Sequence, residues 1–337
     1  MPLPEKKLEM VHLQLTRKCN LRCYFCGQWG RKGFFSGGAD ADMRLEEWRR
    51  VIDRLIEYRK ASGTSPEITL WGGEPLVYPE FKAIVEYLRA NEFQLKLITN
   101  GVLLDRFAEL IKYNFKHVHI SIDGPREIHD RIRGQGVFDK VAASVKLLHG
   151  GTAEIIFMTV ISPDNVNIMP EIPYALEKLG PDKIILHKLI YLSSNECAAY
   201  RNWMKTTFNM EAPAIDSWAK DDTADYLSEL EKNAKILQQE IDERKFSTEV
   251  VYLPHGNAAA STFCLAPFRR LHVAYNGDVL YCTDFYDFKA GNVRNNDLID
   301  IFNNEISEKF RGEIAAGNCP TCNHCAWKSN KSYTPGT

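Results

Sequence analysis

Over the first two thirds of the chain, apolar runs of strand length alternate with longer amphipathic stretches, and this alternation limits the architecture more than any other feature. Strand signals fall at 10–15, 67–71, 94–99, 117–122, 153–161 and 183–190, with helical patterns at 45–59, 78–91, 105–113, 137–148 and 169–179 between them. Repeated βα units build a parallel sheet, because each helix returns the chain to start the next strand beside the last. Six strands fall short of the eight of the usual barrel. The spacing therefore predicts an α/β fold, a partial (β/α)6 TIM barrel, with its chemistry at the carboxyl ends of the strands.

Strand parity separates a wet face from a dry one, since successive side chains point to opposite sides. In the fourth strand Val118, Ile120 and Ile122 share one face and His119, Ser121 and Asp123 the other. In the first, Leu13 and Leu15 oppose His12, Gln14 and Thr16. This predicts helices against the apolar set and a polar lumen, where a single histidine is by default a hydrogen-bonded structural residue. From 197 to 245 the sequence turns polar and helix-prone, notably at 226–244, without strand signal. Short strands at 271–275 and 278–282 then flank Asn276-Gly277, a strong hairpin signal.

The chain has 337 residues, 42 Lys plus Arg against 44 Asp plus Glu, and nine cysteines. The charge balance offers no field of one sign for nucleic acid or anionic lipid. No stretch approaches the roughly 18 apolar residues of a spanning helix, and no apolar segment follows the N-terminal charges. A cytoplasmic location without a membrane partner is expected. Cytosolic thiols stay reduced, so the cysteines read as metal ligands rather than a disulfide framework. They fall in two groups, Cys19, Cys23 and Cys26 after the first strand and Cys264, Cys282, Cys319, Cys322 and Cys325 near the C-terminus, with Cys197 apart. Three thiolates within eight residues can wrap one soft metal centre. An iron–sulfur cluster usually takes four cysteines, so a triplet leaves one iron open; the alternative is zinc completed by a distant residue.

The C-x3-C-x2-C spacing of Cys19, Cys23 and Cys26, with aromatic Phe25 before the last, resembles the signature of the radical S-adenosylmethionine superfamily. The resemblance implies a 4Fe-4S cluster whose open iron binds S-adenosylmethionine, cleaved reductively to a 5'-deoxyadenosyl radical that abstracts hydrogen from an unactivated carbon. Gly72, Gly73 and Glu74, after the second strand, resemble the element that grips the methionyl amino group; two glycines let backbone approach a ligand and a carboxylate can receive an ammonium. Asn100, Ser121 and Asp123, ending later strands, resemble positions near the ribose and methionyl groups, or are strand-terminating turns. Arg133, in the run from His129 to Gly134, resembles an arginine that contacts the cofactor carboxylate.

Cys264 and Cys282 frame the hairpin, with Gly277 five residues before Cys282, and Cys319, Cys322 and Cys325 follow in the tail. Alone, such a set suits structural zinc or iron–sulfur. Beside the first motif it resembles the auxiliary-cluster extension called SPASM, or twitch when shortened, which implies an auxiliary 4Fe-4S cluster. Five cysteines match neither form and suggest one cluster plus one spare thiol. Cys264, Cys282 and Cys322 are the firmest ligands; Cys325 is favoured over Cys319 because the ending Cys322-x2-Cys325-x-Trp327 resembles shortened forms. The domains expected are a barrel at 1–196, a helical linker or cap at 197–255, the small C-terminal auxiliary-cluster domain at 256–328 and a flexible tail at 329–337.

An auxiliary cluster implies that an electron leaves the substrate radical. About ten residues precede the first strand, which leaves no room for a leader-binding domain. The expectation is a radical S-adenosylmethionine oxidoreductase that dehydrogenates a small polar, sugar-like substrate, served by a flavodoxin- or ferredoxin-type electron donor. Peptide modification is the alternative, either cross-linking or epimerisation with Cys197 as hydrogen donor, unless Cys197 is a small buried hydrophobe. A non-catalytic metal-binding scaffold is the reading of a different class.

Overall fold

The computed structural model describes residues 3–30, 32–35, 41–254 and 264–325; Trp327, residues 256–263 and the tail 329–337 lie outside the described residues. The six expected strands are β1 (Met10–Gln14), β2 (Glu67–Trp71), β3 (Leu95–Thr99), β4 (His117–Ser121), β5 (Glu154–Ile161) and β6 (Lys183–Lys188), hydrogen-bonded in chain order and all parallel. Between them run α1 (Leu45–Ser62), α2 (Phe81–Ala90), α3 (Ala108–Asn114), α4 (Arg126–Arg133), α5 (Val137–Leu148) and α6 (Ile172–Leu176). The helix expected over 169–179 is broken into 3-10 turns around α6, because Pro170 and Pro173 each withdraw an N–H donor.

Two further parallel strands extend this sheet. The segment expected to be a helical linker does hold α7 (Ser194–Phe208) and α8 (Ala224–Asp242), but ends in β7 (Glu249–Leu253), which pairs with β6. On the other edge, a short helix α9 (Ala266–Arg269) leads into β8 (Arg270–Val273), which pairs in parallel with β1, Met10 opposite Arg270 and His12 opposite His272. The predicted hairpin forms between β8 and β9 (Asp278–Leu280), and β10 (Gly291–Asn292) completes a ten-stranded sheet. Gly277 turns the hairpin at φ 91°, a conformation that glycine adopts without steric cost.

Parity holds through the sheet. Val11, Leu13, Ile68, Leu70, Val118 and Ile120 are fully buried against the helices in the main core. Opposite residues, among them His12, Trp71, Lys96, His119, Met158 and His187, line one cavity of about 480 Å³. Strands β1 to β6 and β8 all contribute to its wall, so the sheet wraps around it. Among the described residues no helix is long and apolar enough to cross a membrane.

The C-terminal segment is held by a buried charge. Arg311, on α11 (Glu305–Ala315) after α10 (Leu298–Asn303), is wholly buried. It donates to the Pro267 carbonyl at 2.8 Å, the Phe302 carbonyl at 2.7 Å, the Tyr281 hydroxyl at 3.0 Å and Glu308 at 3.1 Å. One side chain thus ties α11 to α9, α10 and the hairpin. Removing it strands two buried carbonyls at roughly 1–3 kcal/mol each. Arg311→Met is expected to cost about 3 kcal/mol, read as a lower thermal midpoint; Arg311→Lys is expected to recover little, because one ammonium cannot reach the same spread of acceptors.

Candidate active site

The chain leaving β1 carries Cys19, Cys23 and Cys26 along the cavity rim, and all three line it. Local hydrogen bonds shape this loop. Leu21 N–H donates to Cys19 Sγ at 3.4 Å, Cys26 N–H to the Cys23 carbonyl at 3.1 Å, and Asn100 Nδ2 to Asn20 Oδ1 at 2.8 Å. Burial pushes the Cys19 thiol up to about 12; Leu21 N–H opposes this, while Glu74, Cys23 and Cys26 raise it further. A cationic soft metal centre at this loop would favour the thiolates, their protons leaving to solvent, the chemistry of an iron–sulfur ligand set.

The loop after β2 is zipped onto this one. Gly73 N–H donates to the Thr16 carbonyl and Glu74 N–H to the Lys18 carbonyl, both at 2.8 Å. The two glycines approach backbone: a Cβ on Gly72 would stand 2.5 Å from the Thr16 carbonyl oxygen, and one on Gly73 2.3 Å from that of Lys18. Glu74 is wholly buried, accepting from the Thr99 hydroxyl and Asn100 N–H at 2.7 Å each and from Leu76 N–H at 3.1 Å. Burial pushes its carboxyl up to about 7 against these donors. Gly72, Gly73, Glu74, Asn100 and Ser121 all line the cavity.

Arg133, at the end of α4, meets buried Asp123 through Nε at 2.6 Å and Nη2 at 3.3 Å, and its Nη1 lies 3.8 Å from Cys23 Sγ. Asp123 also accepts from Val160 N–H, and its own N–H donates to His129 Nδ1. The guanidinium therefore stands at the cysteine loop, committed in part to Asp123.

All five C-terminal cysteines line the same cavity. Cys319 is buried and takes a hydrogen bond from Cys322, which lowers its thiol. Burial pushes Cys282 up, with Asp284 and then Cys264 adding to it, and Cys264 and Cys282 both act on Cys322. Cys264, Cys282, Cys319 and Cys322 thus converge, and Cys325 lines the same cavity. Among the described residues no three His, Cys, Asp or Glu side chains close on a single metal ion. Each set is made of thiols alone, the donor type that iron–sulfur clusters take. Cys197 differs from the rest: it is buried in the core on α7, with Sγ 3.8 Å from the Ile215 carbonyl, and does not line the cavity.

The geometry also includes groups the sequence did not single out. Asp284, half-buried near Cys282, lines the cavity, and burial pushes its carboxyl up to about 6. Tyr200, Trp203 and Trp218, from the segment between β6 and β7, form part of the wall. Their only sequence signal is aromatic residues in an otherwise polar stretch.

Gly73→Ala is expected to push the cysteine loop off the β2 loop. It should destabilise the protein by about 2 kcal/mol and reduce the iron retained after anaerobic reconstitution, measured by thermal melting and metal analysis.

Comparison with known proteins agrees with this geometry. Residues 13–172 match the Radical SAM superfamily and residues 264–326 the SPASM iron–sulfur cluster-binding domain. The chain is 31% identical over 191 residues to the Fe-coproporphyrin III synthase of Methanosarcina barkeri, a match taking in 55% of this chain and 45% of that protein. It is 25% identical over 342 residues to the AdoMet-dependent heme synthase of the same organism, covering 96% of this chain and 92% of that one. Among solved structures, anSMEcpe with bound AdoMet superposes with a TM-score of 0.64 at 17% identity, over 96% of this chain and 92% of that chain, a likeness of fold. With two cysteine sets on one cavity inside a partial barrel, the chain belongs to the radical S-adenosylmethionine superfamily and carries a C-terminal SPASM iron–sulfur cluster-binding domain.

Proposed function

We propose that this enzyme abstracts a hydrogen atom from a polar substrate held between the two cysteine sets and that the substrate leaves oxidised. The observation carrying this reading is that Cys19, Cys23 and Cys26 share one cavity with the five C-terminal cysteines. When bound, a cluster on the first set with S-adenosylmethionine supplies hydrogen abstraction, and a cluster on Cys264, Cys282, Cys322 and either Cys319 or Cys325 supplies an electron acceptor.

The chain's own residues do the positioning. In this reading Glu74, buried and held by three donors, would receive the ammonium of S-adenosylmethionine, and Asn100, Ser121 and Arg133, which line the cavity, would meet the rest of the ligand, with buried Asp123 holding Arg133 from behind. Most of the cavity surface is apolar, from side chains such as Phe25, Trp29, Trp218 and Phe285, and the imidazole, indole and hydroxyl groups set within it are what support a small polar, sugar-like substrate. Relatives named for heme synthesis, and a serine-type anaerobic sulfatase-maturating enzyme of Bacteroides thetaiotaomicron 25% identical over 339 residues, widen that class to tetrapyrroles and peptides. Epimerisation through Cys197 has no support, since that thiol lies in the core. A cytoplasmic setting with a flavodoxin- or ferredoxin-type donor suits the reduced cysteines.

Metal analysis of the anaerobically reconstituted protein is the first test. About eight irons per chain, falling to about four in the Cys19/Cys23/Cys26→Ala variant, are expected, with Cys23→Ala unable to cleave S-adenosylmethionine. Four irons falling to none, with one zinc retained, would turn the reading to redox-neutral chemistry, and no cofactor cleavage in the unmutated chain would leave only a scaffold.

Glu74 sets a pH dependence of known sign. Its folded pKa is raised to about 7, so the ligand-free protein favours the neutral carboxyl and loses that stability as pH rises through about 7. An ammonium ligand needs the charged form. Affinity for S-adenosylmethionine is expected to fall as pH drops below about 7, and Glu74→Gln to bind weakly with little change between about pH 6 and pH 8, measured by equilibrium dialysis.

A further inference from the structure

The barrel wall contains buried polar atoms with no hydrogen-bond partner among the described residues. His272, on β8, is 2% exposed and lines the cavity, and neither of its ring nitrogens has a hydrogen-bond partner among the described residues. Trp71, at the end of β2, packs edge-on against it with ring centroids 4.7 Å apart; its indole Nε1 is likewise buried and unpartnered there. Gln14, wholly buried and paired in register with Trp71, spends its carbonyl oxygen on the Tyr286 hydroxyl at 2.9 Å and leaves its amide nitrogen open. A buried polar atom without a partner costs roughly 1–3 kcal/mol. Three elements distant in sequence thus leave unspent hydrogen-bonding capacity along one stretch of the wall, Gln14 beside Trp71 in register and Trp71 packed on His272.

The chemistry of these atoms selects what fits. A neutral imidazole offers one donor and one acceptor, and indole offers a donor only. Burial holds His272 neutral, pushing it down to about 3, and His12 beside it is lowered too, by burial and then by His272. The nearby ammonium of Lys96 is taken by Glu67 at 2.7 Å. An alcohol hydroxyl, which donates once and accepts twice, matches an imidazole acceptor and an indole donor together. A carboxylate would leave the imidazole acceptor facing a lone pair and would pay its own desolvation.

We propose that His272 and Trp71, backed by Gln14, form a subsite that binds an alcohol hydroxyl of the substrate, the imidazole accepting its proton and the indole N–H donating to its oxygen. This rests on the reading that the cavity holds the substrate. It assigns the C-terminal module a second task, because His272 reaches the barrel lumen only through the pairing of β8 with β1.

The hydroxyl has two sources, a free polyol or a seryl side chain, and the probes separate them. The cluster-loaded full chain is titrated by ligand-observed NMR with myo-inositol, N-acetylserinamide, N-acetylalaninamide and cyclohexanecarboxylate. At least one hydroxylated probe is expected to bind more tightly than the last two, inositol pointing to a small-molecule substrate and serinamide to a peptide. For that probe Kd is expected to rise about five-fold or more in His272→Leu, to rise similarly in Trp71→Phe, and to stay within about two-fold in His272→Gln, which keeps one donor and one acceptor. If His272→Leu does not fold, the Trp71→Phe and His272→Gln pair decides. The subsite is overturned if neither hydroxylated probe outcompetes the alanine amide and the carboxylate, or if Kd is the same in His272→Leu or Trp71→Phe as in the unmutated chain. Iron content and cofactor cleavage of the unmutated chain report on the proposed function separately.

Discussion

Strand β1 is hydrogen-bonded along both edges by parallel partners, β2 on one side and β8 on the other. The rest of the site depends on that double pairing. The loop leaving β1 carries the first cysteine set, and the β8–β9 hairpin lies between Cys264 and Cys282 of the second. Two metal-binding regions about 240 residues apart in sequence are therefore fixed to one backbone ladder. Register is costly to slip where one face is buried, because a shift by one residue would turn Val11 and Leu13 into the lumen and His12 into the core. The relation between the two cysteine sets thus inherits the rigidity of a sheet rather than the freedom of a linker.

A parallel arrangement closes the amino-terminal end of the lumen with charge and leaves the carboxyl end for ligands. Lys96 pairs with Glu67, His117 with Glu154, and Lys183 with both Glu154 and Glu249, from neighbouring strands. Pairing makes those charges tolerable where water is scarce. Toward the carboxyl end the groups change character. Glu74 is held by three donors yet stays half-inclined to keep its proton, and the indole nitrogen of Trp71 has no hydrogen-bond partner among the described residues.

Much of this was legible in the sequence. Alternation placed β1 to β6, parity separated His119 and Ser121 from Val118 and Ile120, and the Asn276-Gly277 pair announced the hairpin. Local signals suffice for features that local physics determines. What stayed hidden was non-local. Strand β7 is five residues after a polar helix, too short to stand out. That β8 joins β1, and so sends His272 into the barrel, is a pairing across some 260 positions that no periodicity encodes. The buried Arg311 looks on paper like any surface cation of a helix. Gly72 and Gly73 were readable as a close approach, but the backbone they approach, Thr16 to Lys18, was not.

The glycines show how the two halves of the cofactor site constrain each other. Gly73 and Glu74 donate their N–H groups to the cysteine loop at 2.8 Å, and Glu74 then turns its carboxylate back to the ends of β3 and β2. The segment that would hold the amino group of S-adenosylmethionine thereby braces, through Gly73 and Glu74, the loop that would hold its iron. A displacement of either loop moves both, so the ligand and the metal cannot be positioned independently. In the hydrogen abstraction proposed above, such coupling would carry sheet geometry into the position of the reacting carbon.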